Sequence, residues 1–207
     1  MTGLRERKRA RTHAAISDAA IELFLERGYD QVSVAQVAEA AEVSKRTVFA
    51  YFPAKEDLVV HRFADHEEEP ARIVRARPSG VRPLAALREH FLAALRDRDP
   101  VTGLNDNPHI LALTRMVRQT PALRTRVIRF QEGTVRALAE ALRDTAEVPA
   151  LTARLAATHV VSTHWLLSMD NFEAVAGGRS ADERYPEAVE AAEHAFGVLA
   201  DGLSEYV

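Results

Sequence analysis

Ser44, Lys45, Arg46 and Thr47 follow one another near the front of the chain, where a short apolar period resumes. Hydroxyls and cations in adjacent positions suit hydrogen bonds and charge contacts with phosphates and base edges. Ser44 is an N-cap candidate, and the helix it opens spans about 45–51, stopped by Pro53. An earlier helix starts at Ser33, which forms a capping box with Gln36, and ends near Ala40 or Ala41. Two short helices joined by a three-residue turn make a helix-turn-helix. In that motif the first helix braces the unit and the second offers its leading residues to the major groove. Val43, Val48 and Phe52 are placed to pack against Val34, Val37 and Ile16, and the small Ala38 and Ala41 let the helices cross closely. Spacing alone also fits an ordinary helical hairpin that binds no DNA.

The elements that must position these residues read as helices throughout. Ile16, Ala20, Leu23 and Phe24 recur at helical steps and predict a first helix over 8–27. Gly28 closes it as a left-handed residue, and Tyr29 packs back on its last turn. A fourth helix begins near Lys55 and runs toward Glu69, with Pro70 ending or kinking it. Leu84, Leu87, Phe91, Leu92 and Leu95 form the next stripe, and further helices are expected at 109–119, 122–146, 150–176 and 186–206. Polar, Gly- and Pro-containing loops fall at 99–108 and 177–185, and no strand hairpin or repeat is present in the sequence.

Composition sets the bounds. Of the 207 residues 47% are apolar, which is ordinary for a chain with a buried core. The formal charge of −3 is unevenly spread. Arg5, Arg7, Lys8, Arg9 and Arg11 against Glu6 leave +4 on the first eleven residues and −7 on the rest. Such a basic arm fits either an anion-binding end or a solvated tail. There is no cysteine, hence no disulfide framework and no thiol chemistry. No apolar stretch reaches the roughly 18 residues of a membrane span, and no signal-peptide core follows the basic start, so no membrane partner and a cytoplasmic location are expected. His61 with Asp65 or His66, and His159 with His164, invite a metal reading. They lack His-Glu-x-x-His or Glu-x-x-His spacing, so neither metal nor cofactor is expected. Nucleophile-elbow, dinucleotide and P-loop patterns are missing, and no enzyme is expected. The competing readings are a helical enzyme and a protein-interaction module without sequence-specific DNA binding.

The run from Ile16 to Leu58 resembles the N-terminal domain of the TetR family of bacterial repressors. The resemblance rests on the Phe24, Gly28, Tyr29 helix closure and on the string V-S-x-x-T-h-F-x-Y-F-x-x-K-E-x-L, which spans Val43 to Leu58. It covers the first quarter of the chain. It implies an all-α fold, with an N-terminal three-helix helix-turn-helix domain at 1–53 and a larger helical ligand-binding and dimerisation domain at 54–207. It further implies that Ser33 meets a phosphate, that Ser44, Lys45, Arg46 and Thr47 meet bases or nearby phosphates, and that Tyr51 and Lys55 touch the DNA backbone. Arg9 and its basic neighbours then become phosphate or minor-groove contacts. Two positions depart from the family pattern: Ala54 stands where a serine cap is common, and Phe49 where tyrosine is common.

The same resemblance implies a ligand-responsive regulator, a repressor by default, which binds a palindromic double-stranded operator as a homodimer and is released by a small-molecule effector. Leu155 and Leu166, with Ala192, Ala195, Phe196, Leu199 and Leu203, are the expected dimer residues. Polar tips in otherwise apolar helices nominate an effector pocket of His90, Arg115, Gln131, His159, Thr163, Trp165 and Asn171, with the group Trp165, His159 and Thr163 foremost.

Overall fold

The structure is a computed structural model that describes residues 2–64, 66–146 and 148–203. Among the described residues ten α-helices run in order: α1 (Thr2–Arg27), α2 (Val34–Ala40), α3 (Lys45–Tyr51), α4 (Asp57–Ala64), α5 (Glu69–Ala76), α6 (Pro83–Arg96), α7 (Pro108–Gln119), α8 (Pro121–Ala146), α9 (Ala150–Ala176) and α10 (Ala181–Leu203). Short 3-10 turns lie at Tyr29–Gln31 and Pro100–Thr102. Among the described residues there is no strand, as the all-α expectation requires. The chain divides into two compact units. One joins the residues up to Arg62 with Ala112–Val127; the other joins Phe63–Leu111 with Ile128–Val207. The sequence reading put its boundary at 53/54. Packing instead groups α4 up to Arg62 with the first three helices, since Leu58, Val59 and Val60 are fully buried.

In the first unit, Ile16, Ala20, Ile21 and Phe24 give α1 a buried stripe at three- to four-residue steps. Val37 and Ala38 of α2, Val48 of α3 and Phe52 at its end are buried with them. α1 begins at Thr2 rather than near residue 8, so the basic arm is an extension of the helix, with the Arg7 Nε donating to the Gly3 carbonyl at 3.0 Å. Gly28 closes α1 at φ +90° and ψ 142°, an extended glycine conformation rather than the expected left-handed helical one. Its N–H still donates to the Phe24 carbonyl at 2.9 Å.

In the second unit α10 packs against α6 and α9, and α5 against α6. The core is built from Leu84, Leu87, Phe91 and Leu95 of α6, Leu138 and Leu142 of α8, and Ala153, Ala156, Ala157 and Val160 of α9. Ala188, Ala192, Phe196 and Leu199 of α10 complete it. Small alanines on α9 and α10 permit close helix approach. The turn at Pro100–Thr102 is pinned to α9: Ser168 Oγ donates to the Val101 carbonyl at 2.9 Å and Asn171 Nδ2 to the Thr102 carbonyl at 3.0 Å. Gly103 follows at φ +70°, and a side chain there would fall on the Ser168 carbonyl.

Two helix boundaries differ from expectation. The predicted helix 55–69 is two, α4 and α5, with His66 Nδ1 between them donating to the Glu69 carboxylate at 2.8 Å. α10 starts at Ala181 rather than Pro186. Ser180 and Glu183 form a reciprocal cap, with the Ser180 N–H donating to Glu183 at 2.8 Å and the Glu183 N–H to Ser180 Oγ at 3.2 Å. Pro186 therefore lies inside the helix.

Candidate nucleic-acid interface

The helix-turn-helix is held by the caps read from the sequence. The Gln36 N–H donates to Ser33 Oγ at 3.3 Å and the Ser33 N–H donates to Gln36 Oε1 at 2.8 Å, closing both halves of the capping box. At α3 the Thr47 N–H donates to Ser44 Oγ at 3.0 Å, and the two hydroxyls share a 2.7 Å hydrogen bond. Such a cap contributes about 1 kcal/mol. The Ser33 and Ser44 hydroxyls thus cap the two helices, and the Thr47 hydroxyl is engaged with that of Ser44.

Lys45 and Arg46 stand differently. Both are exposed, and among the described residues neither enters an ion pair. The Lys45 ammonium lies 5.9 Å from the centre of the Phe49 ring. Arg9 is likewise exposed on α1. On the opposite side α3 is anchored by buried Val48 and by Phe52, whose ring stacks on His13 at 4.3 Å. His13 also meets His61 edge-on at 4.7 Å, and His61 is 3.3 Å from Ser17 Oγ. Local spacing gave no sign of His13, because its partners come from α3 and α4.

Tyr51 is half-buried, its ring 6.2 Å from His13. Lys55 is turned to the α1–α2 connection: its ammonium donates to the Tyr29 carbonyl at 2.5 Å and lies 4.1 Å from the Tyr29 ring centre. Burial lowers its pKa. The Tyr29 hydroxyl donates to Glu56 at 3.0 Å, and burial together with that carboxylate pushes the phenol upward. Lys55 is thus a clasp between helix α4 and the preceding loop in this structure. At Ala54, where no serine hydroxyl caps the helix, the other half of a capping box is present: Asp57 Oδ2 accepts from the Ala54 N–H at 3.0 Å while Oδ1 holds Arg126 at 2.7 Å.

The expected effector residues scatter. Gln131 and Trp165 come together in an open groove of about 480 Å³ on α8 and α9, lined also by Ile128, Glu132, Val135, Arg136, Thr158, Val161 and Ser162. Trp165 is the chain's one tryptophan and is 42% exposed. His159 and Thr163 do not join it: six and two residues away on a helix, their side chains leave at other angles. Arg115 is exposed on the part of α7 that belongs to the first unit. Asn171 is 2% exposed and both ends of its amide are spent, one on Thr102 and the other accepting from Arg184 Nε at 3.2 Å. His90 pairs with Glu69, Nε2 to Oε1 at 3.6 Å.

That pair belongs to a cluster the sequence did not reveal. Hydrogen bonds from His66 and His90 hold the Glu69 carboxyl well below the usual carboxylate range, and Glu69 in turn raises His90. Nearby His164 sits with its ring 4.9 Å from Phe91 and 5.5 Å from Phe196. Its Nε2 is buried without a hydrogen-bond partner among the described residues. Burial pushes its pKa down to about 4. Asp65 lies outside the described residues, and among those described no group of three or more His, Asp or Glu is arranged to hold a metal.

Of the expected dimer residues, Leu155 (49%) and Leu166 (61%) are exposed on α9, joined by Leu151 there and Val198 on α10. Ala192, Phe196 and Leu199 are instead buried in the chain's own core, and Ala195 is partly buried against it. Apolar periodicity marks buried faces without distinguishing the chain's own core from a partner. The Leu203 side chain lies outside those described. No described helix is long and apolar enough to cross a membrane.

Residues 16–61 match the family model of the bacterial regulatory proteins of the tetR family. The chain is 38% identical over 132 residues to the HTH-type transcriptional regulator TcmR of Streptomyces glaucescens, a stretch covering 63% of this chain and 58% of that relative. Among solved structures, NalD of Pseudomonas aeruginosa, the secondary repressor of the MexAB-OprM multidrug efflux pump, superimposes with a TM-score of 0.58 at 21% identity over 90% of this chain and 97% of that one. FadR of Bacillus subtilis, solved with stearoyl-CoA, does so at 0.53 and 22% identity over 91% and 98%. At these identities the two structures speak for the fold.

Proposed function

We propose, from the match of residues 16–61 to the tetR family of bacterial regulatory proteins, that the chain is a regulator of that family and binds double-stranded DNA in the cytoplasm. The observation that carries this reading is the condition of α3: Lys45 and Arg46 are exposed and unpaired among the described residues, on a helix whose other side is locked by Val48 and Phe52. Lys45, Arg46 and Thr47 read the major groove, with Ser33, Ser44, Tyr51 and Lys55 at the backbone. Lys55 must leave the Tyr29 carbonyl to do so, or act by holding α4 in place. Arg9 and its neighbours add phosphate contacts from α1, which strengthen binding at low salt.

One helix-turn-helix spans only a few base pairs, so a two-fold dimer on a palindromic operator is the proposed unit. Leu151, Leu155 and Leu166 on α9 and Val198 on α10 supply apolar surface for it. Burying one leucine contributes about 1.5–3 kcal/mol, so Leu166→Asp shifts the chain toward monomer in light scattering. Bound across a promoter, the dimer represses by excluding polymerase, and a small-molecule effector releases it. The groove holding Gln131 and Trp165 is the proposed effector site; its single tryptophan makes intrinsic fluorescence a direct reporter. α4, α7 and α8 each contribute residues to both units, so effector and DNA weaken one another through them.

The test is selection of random duplex DNA by the purified chain. An inverted repeat recovered by the wild type and lost with Arg46→Ala plus Thr47→Ala supports the reading. No enrichment at low salt overturns it and puts the interaction-module reading first.

A further inference from the structure

Phe49 is 43% exposed, and among the described residues of the first unit it is the large apolar side chain that folding leaves in solvent. Every other exposed large apolar side chain described belongs to the second unit. It lies one turn after Lys45 and three residues after Arg46, so it shares their side of α3. The buried face, Val48 and Phe52, is occupied from within the unit. Neither fold stability nor an interior contact accounts for a bare aromatic ring between two cations. The Lys45 ammonium, 5.9 Å from the ring centre, partly covers it.

Resting on the DNA-binding reading above, we infer that Phe49 is a specificity residue: its ring packs against the 5-methyl group of a thymine in the major groove, beside the bases or phosphates met by Lys45 and Arg46. The chemistry selects that partner. A phenyl ring has no donor or acceptor, so it cannot recognise a base through the hydrogen-bonding edges of guanine, cytosine or adenine. The thymine methyl is the apolar feature the major groove offers. Where tyrosine would reach a phosphate through its hydroxyl, Phe49 has only apolar surface.

The experiment is a protein–DNA double-mutant cycle on the selected operator. Each thymine is replaced singly by uracil, which keeps the pairing edge and removes the methyl. Dissociation constants are measured for wild type, Phe49→Ala and Phe49→Tyr, with thermal melts to show that each variant folds. For the wild type, one thymine per half-site is expected to weaken binding about three- to tenfold when demethylated, the range for one buried methyl and its neighbours. Phe49→Ala loses that sensitivity at the same thymine, and Phe49→Tyr, which keeps the ring, retains it. If every uracil substitution costs the wild type and Phe49→Ala equally, the inference is overturned while the regulator reading stands. If the wild type retains no DNA at low salt, both fall together.

Discussion

The cations proposed to meet DNA and the polar groups that fasten the second unit stand in opposite conditions. In the first unit Lys45 and Arg46 are exposed and without ion pairs among the described residues, and the neighbouring hydroxyls of Ser33 and Ser44 are spent locally on capping. In the second unit several polar groups are committed to neighbours: Asn171 to Thr102 and Arg184, Ser168 to Val101, Glu69 to His66 and His90. A surface that must meet a ligand already made, such as duplex DNA, leaves its charges free in advance. A body that must hold its own helices uses polar groups as fasteners, and among the described residues of that unit the buried Nε2 of His164 and Nε of Arg98 depart from that habit.

The comparison can be broken most severely at Gly103. Gly103→Ala combines a positive φ with a collision against the Ser168 carbonyl. It should cost about 2–4 kcal/mol in chemical denaturation; an unchanged midpoint would remove the pinned turn from the account. On the DNA side, Arg46→Ala should lose about 1–3 kcal/mol of operator binding with an unaltered melt. A loss shared equally by unrelated sequences would demote Arg46 to a phosphate contact.

Acid should find the second unit. His164 has a folded pKa of about 4, below its ordinary 6.5. The unfolded chain therefore takes up a proton that the folded chain refuses, and stability falls as pH drops from about 6.5 toward 4. The lowered Glu69 adds further loss at pH below the usual carboxylate range. His90, raised by Glu69, acts in the other direction, its contribution fading as pH rises through its folded value. Melts from pH 7.5 to 5 should show a falling midpoint, flattened in His164→Phe; equal slopes for both proteins would assign the acid response elsewhere. Ser33→Ala should cost about 1 kcal/mol, readable in thermal melts and in weaker DNA retention. Smallest and opposite in sign, Gly133→Ala should gain up to about 1 kcal/mol in the interior of α8. A new methyl there meets the Glu67 carboxylate, the end of a flexible side chain that can turn aside.

What the sequence revealed follows the range of the forces. Ser33 with Gln36 and Ser44 with Thr47 were readable because both partners of each bond lie within three residues. The early start of α10 was hidden because Pro186 resembled a first-turn proline, while the Ser180–Glu183 cap lay six residues upstream. His164 enters the sequence reading only beside His159 as a metal candidate, and Glu69 only as a helix end, because the environment of both is made by Phe91, Phe196 and His90, which arrive from distant parts of the chain. Leu155 and Phe196 looked alike in the apolar pattern, although one faces solvent and the other fills the core.

Asp57 serves the Ala54 amide and Arg126 with a single carboxylate. The effects of changing positions 54 and 57 are therefore not independent. Asp57→Asn in the present background removes the charge from both partners at once, whereas after Ala54→Ser the new hydroxyl accepts from the backbone N–H of residue 57, so the helix start keeps a cap of its own and the same change costs less. The order in which the two substitutions arise decides whether the chain passes through a weakened intermediate. A serine at 54 opens a route at 57 that is costly from alanine.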